Sequence, residues 1–108
     1  MPEIAYTVSA RCDSERVARE FVSWLVDGHL AGVIRGGASA AEILMLDPGA
    51  GGTQVEVRYR FSDRASFERY EREAAPALRA EGVQRFAPGS GITLSRTVGE
   101  ICHTLGAP

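Results

Sequence analysis

The amino-acid sequence predicts one α+β domain in which two helices cover one face of an antiparallel sheet. The decisive segment runs from Thr53 to Phe61, where the side chains alternate without exception between an apolar or aromatic set and a polar set. Such alternation is typical of a strand with one buried face and one open face. Amphipathic helical stretches lie before and after this strand, and three further strands complete the pattern. The resulting order, β-α-β-β-α-β, is that of the ferredoxin-like fold, with antiparallel strand order 4-1-3-2.

The first half of the chain begins with a strand over residues 4–11, whose larger apolar side chains share one face. Asp13 or Ser14 can then cap a helix whose apolar residues fill one broad arc of the helical wheel. Gly28 and the glycine-containing stretch 32–37 are expected to let this helix end and the chain turn. A second strand, rich in alanine, is expected over residues 38–46.

The second half begins with a flexible glycine-rich loop at 47–52, which leads into the third strand. A helix capped by Ser62 or Asp63 follows. Pro76 should kink this helix or restart it, because proline suits the first turn of a helix and disrupts its interior. The last strand is expected over residues 92–101.

Length and composition are those of an ordinary globular domain. The chain has 108 residues, of which 44% are hydrophobic and 24% charged, with a formal net charge of -2. This charge argues against a nucleic-acid partner, and no apolar run is long enough to span a membrane. The N-terminus lacks the basic region of a signal peptide, so we expect a cytoplasmic location. We assign residues 1–103 to a single domain and 104–108 to a flexible tail.

The sequence carries no motif for a metal or a cofactor. All twelve basic residues are arginines, which excludes covalent chemistry that needs a lysine amine. Cys12 and Cys102 are too few for a metal cluster and should lie at opposite ends of the sheet, too far apart for a disulfide. The glycine-rich segments match neither a dinucleotide-binding motif nor a P-loop. We therefore expect neither a metal nor a cofactor.

His29 is the candidate catalytic residue. The helical wheel places it inside the apolar arc, facing the sheet, where an imidazole can act as a general base or orient a ligand. The alternative is a histidine that caps the last carbonyl groups of the helix. The predicted topology places Tyr59 and Phe67 near His29, so these residues and Trp24 could form an aromatic ligand pocket. An ordinary core edge would show the same pattern.

The open face of the third strand carries a polar row of Gln54, Glu56, Arg58 and Arg60. Small and apolar residues of neighbouring strands share this face, so we expect it to pack against a second sheet in a homodimer. Arg58 could alternatively bind a carboxylate or phosphate of a ligand. Glu81 is expected near the exposed end of the second helix, too far from His29 for an acid–base pair.

Two sequence motifs resemble a known group of proteins. They are Trp24-x4-His29-Leu30 before a glycine turn, and Tyr70-x4-Ala75-Pro76-x-Leu78-Arg79-x-Glu81. They resemble a family of small bacterial domains of unknown function in the dimeric α/β-barrel superfamily, which includes antibiotic-biosynthesis monooxygenase-like proteins. The resemblance runs from the first strand to the fourth, although Ala31-Gly32 stands where a proline and an acidic residue would be expected. It implies a ferredoxin-like fold and a homodimer.

The function we expect is the binding or transformation of a small apolar organic molecule in a pocket between helices and sheet. For an enzyme, the resemblance implies cofactor-independent oxygenation or isomerisation, with His29 as the proton-transfer group and Tyr59 as a polar orienter. The alternative is a non-catalytic module for assembly or ligand sensing. An open cavity that reaches His29 would favour the enzyme, and a sealed pocket beneath Trp24 and Phe67 would favour the module.

Overall fold

Four strands form one antiparallel sheet in the order β2-β3-β1-β4, in a computed structural model that describes residues 2–49 and 51–108. The strands are β1 (Ile4–Cys12), β2 (Ala40–Met45), β3 (Thr53–Phe61) and β4 (Ile92–Glu100). The predicted order 4-1-3-2 and the predicted bounds of the third strand are confirmed. Ala50 of the predicted loop lies outside the described residues, as does Met1 at the start of the predicted domain.

Two helical segments cover one face of the sheet. The first comprises α1 (Glu15–Trp24), a wide π-helical turn (Leu25–His29) and α2 (Leu30–Arg35), and the second comprises α3 (Arg64–Glu73) and α4 (Ala75–Arg85). Ser14 Oγ caps α1 by accepting a hydrogen bond from the N–H of Val17 at 3.2 Å. Asp63 Oδ1 caps α3 by accepting a hydrogen bond from the N–H of Ser66 at 2.8 Å. A break at Ala74 and the position of Pro76 in the first turn of α4 confirm the predicted restart. None of the described helices is long and apolar enough to cross a membrane.

The first helical segment continues past Gly28 and ends at Arg35, within the predicted stretch 32–37. Gly28 leaves the helical dihedral angles, with φ 163° and ψ -25°, yet the N–H of Leu30 still reaches the carbonyl oxygen of Leu25. This i to i+5 hydrogen bond forms a wide turn that carries the helix past the irregular residue. His29 therefore lies within the helical segment and not at its end.

The core lies between the helices and the sheet. The strand register pairs Tyr6 of β1 with Tyr59 of β3 on one side and with Val98 of β4 on the other, so all three face the helices. The largest fully buried side chains are those of Phe61, Ile4, Leu25, Val33, Val55 and Val57. Burial of side chains of this size contributes roughly 1.5–3 kcal/mol each, and they hold the helices against β1 and β3.

The helices leave most of strand β4 uncovered. Its residues from 93 to 100 are all exposed, including Leu94 at 42% and Val98 at 43% on the side that faces the helices. The helices pack over β1, β2 and β3, which leaves the β4 edge of the sheet open. The space between this edge and the helices forms the candidate site.

Candidate functional site

A cavity of about 280 Å³ lies between the helices and the part of the sheet formed by β1, β3 and β4. Small-molecule sites measure roughly 300–1,000 Å³, so this cavity suits a small ligand. The lining is mainly aromatic and aliphatic and consists of Tyr6, Val8, Phe21, Trp24, Leu25, His29, Val57, Tyr59, Tyr70, Leu78, Arg79, Gly82, Val83, Phe86, Ile92, Leu94 and Arg96. Three of these residues, Val83, Leu94 and Arg96, are exposed. The cavity therefore opens to solvent along β4.

A wider depression of about 530 Å³ lies over the outer surface of α1. Its walls are mostly charged side chains, including the exposed ion pairs Arg16–Glu20 and Arg19–Glu15. Exposed ion pairs of this kind contribute little and exclude no water. This depression is a surface groove, so the enclosed cavity beside β4 is the candidate site.

The wide turn directs His29 into the cavity. Its imidazole stacks on the Trp24 indole, with ring centroids 4.3 Å apart and planes inclined by 26°. Nδ1 of His29 is buried and has no hydrogen-bond partner in the described part of the chain. Burial lowers the pKa of His29, while the Glu81 carboxylate raises it and the Arg96 guanidinium lowers it by smaller amounts. The imidazole is therefore mainly neutral near pH 7 and can accept a proton.

Two expectations about His29 are wrong. It does not cap the end of its helix, since the helical segment continues to Arg35. Glu81 is not remote from it, since the charge of that carboxylate acts on the imidazole. Both errors have one physical reason: the wide turn prolongs the first helical segment, and this places His29 partway along it, opposite α4.

Three tyrosines, Tyr6, Tyr59 and Tyr70, line the cavity. The rings of Tyr6 and Tyr59 stack as cross-strand neighbours, with centroids 5.7 Å apart. Burial, assisted by the neighbouring tyrosines, raises the pKa of Tyr59 well above its usual range. Burial likewise raises the pKa of Tyr70 to about 12. Both phenols therefore stay protonated at neutral pH and can donate hydrogen bonds to a ligand.

The polar side of the cavity is formed by Tyr6, Arg79 and Arg96, which the sequence analysis did not identify as site residues. Arg79 Nη2 and Arg96 Nε both donate to the Tyr6 hydroxyl, at 3.3 Å and 3.1 Å, and Arg79 Nη2 also donates to Glu71 at 2.8 Å. Burial works against the charge of Arg79, but its hydrogen bonds to Tyr6 and Glu71 outweigh this effect and raise its pKa. One signal was present in the sequence, because Arg96 lies between the apolar Leu94 and Val98 on one face of the last strand.

The residues that the sequence predicts to bind a ligand do not all lie at the cavity. Trp24 lines the cavity, whereas Phe67 and Arg58 do not. Phe67 packs in the core outside the cavity, with its ring centroid 5.2 Å from that of Phe61. Arg58 projects from the opposite face of the sheet, where it pairs with a neighbouring carboxylate at 2.9 Å. Because consecutive residues of a strand face opposite sides, Arg58 cannot reach the cavity that Tyr59 lines.

The two motifs noted in the sequence come together at this cavity. Trp24 and His29 from the first motif line it, together with Tyr70, Leu78 and Arg79 from the second. The helix pair brings the motifs together, although they lie far apart in the sequence. Within residues 2–49 and 51–108, no group of three or more His, Cys, Asp or Glu side chains could hold a metal ion.

A family model for a domain of unknown function, DUF4286, matches residues 3–98. The chain belongs to this family. The predicted membership of a family of unknown function is therefore confirmed, and the matched region contains every residue that lines the cavity. None of the curated proteins compared with this DUF4286 chain matches it in sequence.

Several solved structures share the fold. A dimeric ferredoxin-like protein from an uncultured marine organism is 13% identical, with a TM-score of 0.69 over 97% of this chain and 100% of that one. SnoaB, a cofactor-independent oxygenase from Streptomyces nogalater, is 16% identical, with a TM-score of 0.67 over 99% and 100%. A monooxygenase from the gene ActVA-Orf6 of Streptomyces coelicolor, in complex with nanaomycin D, is 12% identical, with a TM-score of 0.73 over 99% and 94%. At these identities the likeness establishes the ferredoxin-like fold alone.

Proposed function

We propose that this DUF4286 protein binds a small, mostly apolar organic molecule in the cavity beside His29. The observation that carries the proposal is an enclosure of about 280 Å³ with aromatic and aliphatic walls, a few polar groups and an opening to solvent. Water that enters such a cavity solvates its aromatic and aliphatic walls poorly, so removing this apolar surface from water is favourable. A bound apolar molecule would displace that water.

We further propose that the molecule reacts there, with His29 as the proton-transfer group and Tyr59 as a hydrogen-bonding orienter. His29 is mainly neutral and its Nδ1 is buried without a partner among the described residues, which is the state that a general base requires. The reaction class is oxygenation or isomerisation of a small organic molecule without a cofactor. The likeness in fold to an oxygenase described as cofactor-independent supports this class.

A non-catalytic module for ligand sensing or assembly is the alternative function. A sealed pocket beneath the first helical segment would favour that alternative. The exposed residues Val83, Leu94 and Arg96 at the rim of the cavity instead support exchange of a substrate and a product with solvent. A cytoplasmic location for the protein stays a prediction.

We also propose that two copies associate through the open face of the sheet. The register places Leu44 opposite Glu56 and Ala5 opposite Arg60 on this face, so apolar and charged groups alternate across it. The charges are balanced within one copy, since Arg58 pairs with Glu56 at 2.9 Å, which lowers the cost of burying them. A structurally similar protein that is described as dimeric supports this association.

Ligand binding can be tested with 2-naphthamide, a neutral bicyclic probe, by NMR titration of the indole N–H of Trp24. Trp24 is the single tryptophan of the sequence, so this resonance is unambiguous and reports from the cavity wall. We expect a saturable shift for the wild-type protein, because the ring current of a bound naphthalene acts directly on the indole.

A pair of substitutions controls for binding elsewhere. Val8→Phe adds bulk at a cavity-lining position of β1 and should abolish the saturable shift. Val26→Phe makes the same change at a position that is 64% exposed and outside the cavity, and it should leave the shift intact. Absence of a saturable shift in the folded wild-type protein, or equal binding by both variants, would overturn the proposal.

A further inference from the structure

We infer that the cavity selects molecules that carry a carboxylate, which Arg96 and the Tyr6 hydroxyl bind at the rim along β4. This inference rests on the proposed binding of an organic molecule in the cavity and names the chemical class of that molecule. Three features carry it: the hydrogen bonding of Tyr6, the pairing of Arg79 with an acidic residue, and the lack of such a pair for Arg96 among the described residues.

The Tyr6 hydroxyl still has a hydrogen to donate. Its oxygen accepts N–H bonds from Arg79 at 3.3 Å and from Arg96 at 3.1 Å, which occupies the two lone pairs that a hydroxyl offers. Its own O–H finds no acceptor among the described residues, since both of its hydrogen bonds there are accepted ones. A donor held between two guanidinium groups favours an acceptor that carries negative charge.

The two arginines differ in how their charge is balanced. Arg79 Nη2 lies 2.8 Å from Glu71 Oε1, so this pair is close to neutral. Arg96 forms no ion pair within residues 2–49 and 51–108. Its hydrogen bond to Tyr6 uses Nε, which leaves both terminal NH₂ groups to meet the two oxygens of a carboxylate. Guanidinium groups bind carboxylates in this bidentate way with high geometric specificity.

The other charged group near His29 does not cancel this preference. The Glu81 carboxylate acts on His29 from α4, but Glu81 is exposed, so water and salt screen its charge. Arg96 is exposed as well, so its charge is screened in the same way. The preference therefore rests on directed hydrogen bonds, from the terminal NH₂ groups of Arg96 and from the hydroxyl of the buried Tyr6 side chain, to the two oxygens of a carboxylate.

The inferred ligand class is a small monocarboxylate with a compact apolar body. The body lies against the walls formed by Trp24 and Phe86, and the carboxylate points towards β4. A second carboxylate on the ligand would have no matching cation, because Arg96 is the one guanidinium of the cavity without an acidic partner in the described part of the chain.

The test compares 2-naphthoate with 2-naphthamide, which have closely similar shapes and differ in charge. We expect 2-naphthoate to bind the wild-type protein about tenfold more tightly or better, as hydrogen bonds to a charged group allow. Arg96→Gln should remove this difference by weakening the binding of 2-naphthoate alone, and Tyr6→Phe should reduce it. Arg72→Gln removes an exposed arginine of α3 that does not line the cavity and should leave both affinities unchanged.

The outcomes separate this inference from the proposed function. If neither probe binds the folded protein, the proposed function fails and the inference fails with it. If both probes bind with equal affinity, or if Arg96→Gln keeps the preference, only the inference fails. Should Arg96→Gln not fold, the affinity ratio of the two probes in the wild-type protein and in Tyr6→Phe decides the question.

Light scattering tests the other possible source of a carboxylate, a side chain from a second copy of this chain. An unchanged mass for Arg96→Gln supports a free carboxylate as the occupant of the site. A shift of this variant towards the monomer would mean that a second copy neutralises Arg96, and it would overturn the inference.

Discussion

The indole of Trp24 and the imidazole of His29 stack at 4.3 Å between ring centroids, although five positions separate them along the chain. In a regular α-helix, residues i and i+5 point about 140° apart. The wide turn, closed by the N–H of Leu30 on the carbonyl oxygen of Leu25, has more residues per turn and brings the two rings to the same side. An irregularity of the backbone thus builds one wall of the cavity, and π-helical turns are frequent at functional sites.

The stability of the fold should depend on the protonation of His29. Burial lowers the pKa of His29 in the folded protein. In the unfolded chain the pKa of this side chain is about 6.5, so the unfolded chain takes up the proton more readily. The contribution of neutral His29 to the free energy of unfolding is fully present above about pH 6.5. It is lost as the pH falls from there through the pKa of His29 in the folded protein. We expect the free energy of unfolding to fall more for the wild-type protein than for His29→Gln between about pH 7.5 and 5.

His103→Gln is the matched control for this experiment, because His103 is the other histidine of the sequence and is exposed. It should reproduce the pH dependence of the wild-type protein. Equal pH dependence for wild-type protein and His29→Gln, measured by urea unfolding at each pH, would contradict the prediction.

The two cysteines should differ in reactivity and should not form an intramolecular disulfide. Cys12 is buried at one end of β1 and pairs with Ile92, whereas Cys102 is exposed beyond the opposite end of β4. At about 3.3 Å per residue, the strand length between them exceeds the reach of a disulfide severalfold. Burial, and secondarily the charge of Asp13, raises the pKa of Cys12 and disfavours its thiolate.

We expect one thiol of the native protein to react quickly with a thiol reagent and the second to react only after unfolding. Cys102→Ser should remove the fast phase and leave the slow one. Two fast thiols, or a mass lower by two protons under non-reducing conditions, would show that the strand arrangement is different.

Gly36→Ala should destabilise the protein by about 1–3 kcal/mol, the usual effect of overpacking a tight contact. A Cβ atom at Gly36 would lie 2.7 Å from Cβ of Ala74 and 3.0 Å from Cδ1 of Tyr70, so the end of α2 and the end of α3 would have to separate. Gly49→Ala is the control, because nothing lies within 4 Å of a Cβ at that position. Urea unfolding measures both, and a neutral Gly36→Ala would contradict the close approach of the helices.

The proposed dimer should dissociate when a charge is added to the middle of the open sheet face. Ser9 lies there between Glu56 and Ser95, so an arginine at this position can pair with Glu56 in a single copy without disturbing the fold. We expect the wild-type protein to be a dimer by light scattering and Ser9→Arg to shift towards the monomer. Ser23→Arg makes the same change at an exposed position of α1 and should stay dimeric, whereas a monomeric wild-type protein would refute the interface.

Local patterns in the sequence determined the elements of this fold. The alternation from Thr53 to Phe61 predicts β3 with its observed bounds, and the side-chain caps at Ser14 and Asp63 begin the helices where the sequence places them. These signals can be read from the sequence because a pleat, a cap or a proline restart depends on residues within one or two turns of each other. The two sequence motifs further indicated the family and the fold.

The sequence predicted His29, Trp24 and Tyr59 at the site, and the cavity contains all three, but only the tertiary structure decided the path of the first helix and the polar side of the cavity. Whether the first helix stops at Gly28 or continues through a wide turn depends on packing against α4 as well as on local propensity, and this choice placed His29 partway along the helical segment and not at its end. Tyr6 meets Arg79 and Arg96 across 73 and 90 positions of sequence, a juxtaposition that exists only once β4 has paired with β1 and α4 has packed over the sheet. Such contacts arise from the register of distant strands, and no local periodicity encodes which polar side chains that register will bring together.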